Sequence, residues 1–264
     1  MPLEIIIFGA MGRMGQAIID AARDDAEIRI VGLVESPKHP RLREVVEVNG
    51  SRVSVTPAIP HHPGAVVIDF TSPETTAANV REAVVNGNPC VIGTTGLTKE
   101  QISELEHAGR RIPIVFSSNM SVGVNILWKI AAETAVLLGD RADIEIIEAH
   151  HNRKKDSPSG TAVTIAARIN EALGRSAGEG LVHGRQGNTG ARTKGEIGMH
   201  AVRAGDIAGD HTVVFGMEGE RIEITHRAHD RSSFARGSLV AAKFAVKARP
   251  GLHTMAEVLG MDAR

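Results

Sequence analysis

Seven residues constrain this 264-residue chain more than any others: Gly9-Ala10-Met11-Gly12-Arg13-Met14-Gly15. They follow a β-branched apolar run at residues 4–8. They open a segment in which Met14, Ile18, Ile19 and Ala22 recur at helical spacing. A strand that becomes a helix within so few residues needs glycine for the turn and for close helix–strand approach. The alternation continues downstream. Residues 28–34 and 66–70 read as strands, and 73 to about 86 as a helix with proline in its first turn. Residues 90–92 read as a strand, 98–111 as a helix opened by a Thr98/Gln101 capping box, and 114–116 as a strand. A further short strand is expected around 52–55. Strands alternating with helices predict a parallel sheet with right-handed crossovers.

A glycine loop between strand and helix is an anion cradle. One glycine permits the turn, one lets the backbone approach a pyrophosphate, and one allows the helix to pack closely. The helix N-terminus then presents N–H groups and its positive dipole end. Glu35 stands twenty positions past Gly15, at the end of the second strand, where a carboxylate can accept from ribose hydroxyls. The spacing G-x-x-G-x-x-G is a variant of the usual dinucleotide fingerprint, and this context strengthens it. Ser36 follows Glu35 where an Arg would favour a 2′-phosphate. Lys38 is close enough in sequence to reach one, so the cofactor is NADH and/or NADPH. Two more loops follow strands: Gly93-Thr94-Thr95-Gly96 and Ser117-Ser118-Asn119-Met120. Ligands of open α/β sheets sit beyond the carboxyl ends of strands, which places both loops against the nicotinamide half.

The pattern changes after about residue 120. Residues 124–138 predict a long apolar helix, 143–148 a strand and 159–173 a helix. Residues 174–194, rich in Gly, Ser, Asn and Thr, predict a long, mobile loop of the kind that is often functional. Residues 196–202, 211–215 and 221–225 read as strands without intervening helices, which is α+β rather than βαβ. Helices return at 233–247 and 254–259. The expected fold class is therefore α/β: a Rossmann-type parallel-sheet domain from residues 1–121 and 231–264, plus an α+β substrate domain with an open mixed sheet from residues 122–230. Hinges are expected near 121–122 and 230–233.

The densest chemistry lies in residues 148–161, Glu-Ala-His-His-Asn-Arg-Lys-Lys-Asp-Ser-Pro-Ser-Gly-Thr. Either His150 or His151 can act as a general acid near neutral pH. Lys154 can neutralise charge or donate a proton. The helix start at Ser159-Gly160-Thr161 can bind a carboxylate. Asp156 can cap that helix or orient a lysine. A solvated basic loop and a metal site compete with this reading. The metal site is disfavoured because adjacent histidines point differently and no third ligand has convincing spacing. His61, His62, His107, His200, His211, His226 and His229 read as structural or solvated.

Formal net charge is only −1, which argues against a nucleic-acid binder. The single cysteine, Cys90, excludes an intramolecular disulfide and fits a reducing compartment. Its strand-like surroundings predict a buried thiol. No apolar run approaches ~20 residues and no signal peptide is visible, so neither a membrane span nor export is expected and the expected location is cytoplasmic.

With these pieces in place, the chain resembles the dihydrodipicolinate reductase family. The resemblance rests on Gly9 to Gly15, Asp69-Phe70-Thr71, Gly93 to Gly96, Asn119 to Val124, and above all on Glu148-Ala-His-His151 with Lys154, Asp156 and Pro158-Ser-Gly-Thr161. Gly251-Leu252, Met255 and Val258-Leu259 extend it to the C-terminal region. It implies NADH- or NADPH-dependent reduction of 4-hydroxy-tetrahydrodipicolinate to tetrahydrodipicolinate, in lysine and diaminopimelate biosynthesis. It implies His150 as proton donor or acceptor, Lys154 as proton donor, His151 as a substrate contact, and Gly160 and Thr161 as contacts to a carboxylate of a small dicarboxylate substrate. Gly9, Ala10, Met11, Gly12, Arg13, Met14, Glu35, Gly93, Thr94, Thr95, Ser117, Ser118, Asn119 and Met120 match cofactor contacts. The resemblance also implies a homotetramer built through the sheet of the second domain, with closure over the substrate. Ser36 departs from members that carry Arg there. A related imine or amino-acid dehydrogenase and a dinucleotide-sensing protein are the competing readings.

Overall fold

The computed structural model describes residues 1–261. The chain forms two compact units, one from Met1–Val122 with the segment from Arg231 onward, the other Gly123–Asp230. In chain order the first stretch contains β1 (Leu3–Phe8), α1 (Arg13–Arg23), β2 (Ile28–Val34), β3 (Val45–Val48), β4 (Ser51–Thr56), β5 (Val66–Asp69), α2 (Pro73–Asn86), β6 (Cys90–Ile92), α3 (Lys99–Gly109) and β7 (Pro113–Phe116). The second unit follows with α4 (Val122–Leu138), β8 (Asp143–His150), α5 (Gly160–Ala172), β9 (Leu181–His183), β10 (Ile197–Arg203), β11 (Gly209–Met217) and β12 (Glu220–Ala228). The chain then returns to the first unit through α6 (Ser232–Ala245), β13 (Gly251–His253) and α7 (Met255–Val258).

The first sheet runs β13-β7-β6-β5-β1-β2-β4-β3. Every pairing is parallel except β3 on β4. β1 is buried on both faces, as a strand must be when helices cover both sides of a parallel sheet. Ile5 and Ile7 pack with Ile18 and Ile19 of α1 and Leu239 and Ala242 of α6. Ile6 and Phe8 point the other way, toward Val80 and Ala83 of α2 and Leu105 of α3. Cys90 lies wholly inside this second layer, and burial pushes its thiol pKa up. Strands β3 and β13 escape the sequence reading. Gly-Leu-His offers no β-branched run, and β13 is recognisable only from its pairing with β7. The last helix is shorter than expected, and Thr254 caps it reciprocally with Glu257.

The second sheet runs β12-β11-β8-β10-β9. β10 is parallel to β8 and β9, whereas β11 is antiparallel to β8 and β12. The sheet is therefore mixed, and α5 serves as the crossover from β8 to β9, which lies parallel to it on the far side of β10. A βαβ unit thus sits inside a region that reads from sequence as α+β alone. Its core joins Val124, Leu127, Trp128, Ala131 and Ala135 of α4 to Ile165 and Ile169 of α5 and Phe215 of β11. With the turn that follows, α4 makes a 20-residue span, Val122–Arg141, long and apolar enough to cross a membrane by length and composition alone. The sequence expectation of no span rested on unbroken apolar runs, which Asn125, Lys129 and Glu133 interrupt.

The expected long loop at 174–194 carries β9 and is pinned to the sheet. Arg185 donates to Glu145 at 2.9 and 3.1 Å and to Glu196 at 2.6 Å. Arg192 donates to Asp143, to Glu145 and to the carbonyls of Ile144 and Glu196. Burial raises the Glu145 pKa, but hydrogen bonds from Arg185, His200 and Arg192 outweigh it and hold it down at about 2, from an ordinary 4.5. A carboxyl depressed on folding stabilises above its unfolded value, and that stabilisation is lost as pH falls through the folded one. Stability should therefore drop between pH 4.5 and about 2. In Glu145→Gln, acid titration of the melting temperature should be flatter across that window; an unchanged acid limb refutes the assignment.

Candidate active site

The carboxyl ends of β1, β2, β5, β6 and β7 lie at one edge of the first sheet, and the strand order reverses around β1, which pairs with β2 on one side and β5 on the other. The glycine loop leaves β1 there. Gly9 has φ +62, a left-handed conformation that glycine adopts without strain. The N-terminus of α1 is capped by no side chain: its N-cap is Gly12. A Cβ on Gly15 would fall 2.5 Å from the carbonyl oxygen of Ala10 and closer still to that of Gly9. Glu35 is tied to this loop, accepting from Met11 N–H at 3.1 Å and from Ser36 N–H at 2.9 Å. Arg13 is exposed, Met11 and Met14 are half-buried and Ala10 is buried. Lys38 is exposed close by in sequence.

The two further loops divide between surface and interior. Gly93 is packed so tightly on the ring of Phe70 that any Cβ would collide with it. Thr95 is exposed, but Thr94 is 3% exposed and its hydroxyl accepts from Thr76 at 2.9 Å. Ser117 turns its hydroxyl to the carbonyl of Asn119, and Ser118 is exposed. The side chain of Met120 belongs to the core. Residues 94 and 120 can therefore offer a ligand only their backbone. Sequence reasoning assigned no role to Asp69. This buried carboxylate accepts from Thr71 N–H and Oγ1 at 2.7 and 2.6 Å and from Asn79 at 2.9 Å, fixing the loop after β5. Its signal was a carboxylate at a strand's carboxyl end followed by hydroxyls.

In the second unit the pleat explains the chemistry. Core-facing residues of β8 are Ile144, Ile146, Glu148 and His150, and their buried positions alternate with more exposed ones. Across the sheet these form rungs. Phe215, Ile144 and Ile197 make one and Val213, Ile146 and Met199 the next; His211, Glu148 and Ala201 make the third, and His150 sits opposite Arg203. An apolar ladder thus turns polar at its last two rungs. Glu148 is 1% exposed in its side chain and fully engaged. Its Oε2 accepts from His150 Nδ1 at 2.6 Å and from Arg203 at 2.7 Å; its Oε1 accepts from Arg203 at 2.8 Å and from Ser159 N–H at 3.0 Å. Burial raises the Glu148 pKa, but Arg203, His150 and Ser159 pull it below the carboxylate range. His150 is lowered by burial, opposed by Glu148.

Ser159 caps α5, its hydroxyl accepting from Ala162 N–H at 3.2 Å and meeting His211 Nε2 at 2.9 Å. Burial pushes the His211 pKa down to about 3, so this ring is neutral. His211 read from sequence as structural, and in place it props the helix start. Lys154 Nζ pairs with Asp156 at 2.9 Å, and His151 Nδ1 accepts from Arg153 N–H at 3.2 Å. Gly160 opens α5 with no atom near its absent Cβ, and Thr161 follows it. A Cβ on Gly209 would come within 3.1 Å of His150 Nε2, so this glycine keeps that nitrogen clear. Among the described residues no group of three or more metal-ligating side chains forms. The site gathers His150, Lys154, Gly160 and Thr161 around one strand end and one helix start.

Two family models match in tandem: "Dihydrodipicolinate reductase, N-terminus" over residues 3–120 and "Dihydrodipicolinate reductase, C-terminus" over 123–259. A protein of Citrifermentans bemidjiense called 4-hydroxy-tetrahydrodipicolinate reductase is 44% identical over 98% of this chain and 99% of its own length. One of the same name from Syntrophus aciditrophicus is 42% identical over 98% of each. Among solved structures, dipicolinate-bound dihydrodipicolinate reductase from Paenisporosarcina sp. TG-14 shares the fold, with a TM-score of 0.73 at 24% identity over 97% of this chain and 99% of that one. A probable dehydrogenase from Thermotoga maritima shares it at TM-score 0.60 and 13% identity, covering 98% of this chain and 93% of its own. The chain belongs to the dihydrodipicolinate reductase family.

Proposed function

We propose that this chain reduces 4-hydroxy-tetrahydrodipicolinate to tetrahydrodipicolinate with NADH or NADPH, in lysine and diaminopimelate biosynthesis. The observation that carries the reading is the polar end of β8: a buried His150 anchored through Nδ1, beside Lys154 and the start of α5. The balance is one hydride and one proton in and one water out. The nicotinamide, when bound, supplies the hydride. The cradle fits a dinucleotide, because a Cβ on Gly15 would fill the space that the loop backbone needs. Gly9 to Met14, Glu35, Gly93 to Thr95 and Ser117 to Met120 would hold it.

The chain's own residues supply orientation and protons. Glu148 accepts only, so Nδ1 of His150 donates to it and Nε2 faces outward as an acceptor. His150 then receives or orients a proton, while Lys154 Nζ donates one. Gly160 and Thr161 meet a substrate carboxylate at the helix N-terminus, and His151 contacts the substrate. A formal net charge of only −1 fits a soluble cytoplasmic enzyme. Ile147 and Val202, exposed on the sheet face opposite the core, suit a homotetramer assembled there.

A coupled assay tests the activity. Dihydrodipicolinate synthase makes the substrate from pyruvate and aspartate semialdehyde, and NADH and NADPH oxidation are followed in parallel. Synthase-dependent oxidation is expected with at least one, and the ratio reports what Glu35, Ser36 and Lys38 select. Oxidation with neither, by protein that binds dinucleotide, moves the assignment to a related imine dehydrogenase. Gly160→Ala separates binding from folding. The added methyl meets open space and alanine suits a helix. The melting temperature should stay or rise slightly while KM for substrate rises; an unchanged KM refutes the carboxylate role.

A further inference from the structure

We propose that Arg203 is a positioning residue: by taking both oxygens of Glu148, it lets that carboxylate anchor the Nδ1 hydrogen of His150 without holding the ring as an imidazolium, so that Nε2 stays an acceptor. The proposal rests on the reading of His150 as a proton-handling group. It starts from the strand register, which sets Arg203 of β10 opposite His150 of β8. Arg203 forks onto Glu148 at 2.7 and 2.8 Å and also donates to the carbonyl of Asp156 at 2.7 Å. One guanidinium thus ties the anchor of His150 to the loop that carries Lys154 and its partner Asp156.

A buried carboxylate touching an imidazole normally favours the charged pair. Here the carboxylate already has a full bidentate partner, and such pairs are strong and geometrically specific. The other groups facing His150 do not restore an anion. Lys154, from the following loop, is a cation paired with Asp156. His211 of β11 meets the ring edge-on at 5.2 Å between centroids and is neutral, with His226 of β12 opposite it. Glu148 and Arg203 cancel, Lys154 and Asp156 cancel, and the imidazole occupies a dry, locally neutral place. Burial then decides its state, and the lowered pKa of His150 agrees. The Glu148 hydrogen bond retains its second function, which is to fix which nitrogen carries the proton.

The test is a pair of substitutions with opposite expected signs. Histidine NMR titration of the full chain, with the His150 signal identified by its loss in His150→Gln, reads the ring directly. In Arg203→Met the carboxylate is freed, and the His150 midpoint should move up by roughly one pH unit. In Glu148→Gln the anion is gone while an acceptor remains, and the midpoint should move down. Arg203→Lys keeps a charge but loses the fork, so a smaller upward shift is expected, and it is the variant to read should Arg203→Met not fold. The corresponding limb of the kcat/KM pH profile should follow each shift. An unmoved or lowered midpoint in the Arg203 variants overturns the proposal. Midpoints that move as expected while the kinetic limb stays fixed would support the clamp and instead remove His150 from the proton chemistry.

Discussion

Replacing His150 with glutamine should lower turnover by ~100-fold or more while leaving dinucleotide affinity unchanged. Glutamine retains a group that can hydrogen-bond to Glu148, and it removes only the ability to take up and release a proton. The site should therefore keep its shape. His150 is buried against Glu148, Arg203 and His211, in a rung that contains no residue of the glycine cradle. A loss confined to kcat, with dinucleotide titration superimposable on the parent, marks a reacting group. A variant that turns over at the parental rate sinks the assignment of His150. A variant that also loses dinucleotide affinity shows instead that the substitution disturbs more than its own ring. Lys154→Ala provides a companion measurement. If Lys154 donates and His150 accepts, each single substitution should be slow and the double scarcely slower than the worse single, because groups acting as a unit are non-additive.

The strands and helices of the first unit were legible because their signals are local. β2 and β6 fall at the residues that β-branched runs predict, and the Thr98/Gln101 capping box is formed in both directions. β3 and β13 were missed because a three- or four-residue strand is defined by its neighbour more than by its own side chains. The same distinction separates the site's parts. His150, Lys154, Gly160 and Thr161 lie within twelve residues, so spacing alone groups them. Arg203 and His211 stand 55 and 63 positions from Glu148, and only the parallel and antiparallel registers of β10 and β11 bring them to it. Thr94 and Met120 show a different limit. Their loops follow strands as expected, but a loop reading does not say which side chains turn inward, and these two do.

Polar groups at the end of β8 depend on one another for their partners. Glu148, His150, Ser159 and His211 are buried, with Arg203 partly exposed beside them, and an unmatched partner among the buried groups would cost about 1–3 kcal/mol. Four acceptor positions on Glu148 are filled by three groups from three different segments. Among the described residues the buried Nδ1 of His211 has no hydrogen-bond partner. Such a network is rigid only when nearly complete, which favours one fixed geometry for Nε2 of His150.

Gly15→Ala should damage the dinucleotide site more than any substitution of a side chain that touches it. The reason is backbone contact. The added Cβ would lie 2.5 Å from the carbonyl oxygen of Ala10 and nearer to that of Gly9, and neither carbonyl can rotate away as a side chain does. The loop must open or α1 must retreat from β1, and overpacking of this kind costs about 1–3 kcal/mol. Both responses move the N-terminus of α1 from the place where it would face a pyrophosphate in the proposed site. The expected result is a lower melting temperature together with dinucleotide affinity weakened by tenfold or more, read by fluorescence titration with NADH and NADPH. Gly12→Ala is the graded comparison, because its Cβ would stand 3.1 Å from the Gly9 carbonyl and a small shift relieves it. Its loss should be smaller on both measures. Equal affinity in Gly15→Ala and the parent would mean that the cradle does not hold the pyrophosphate, whatever the stability of the variant.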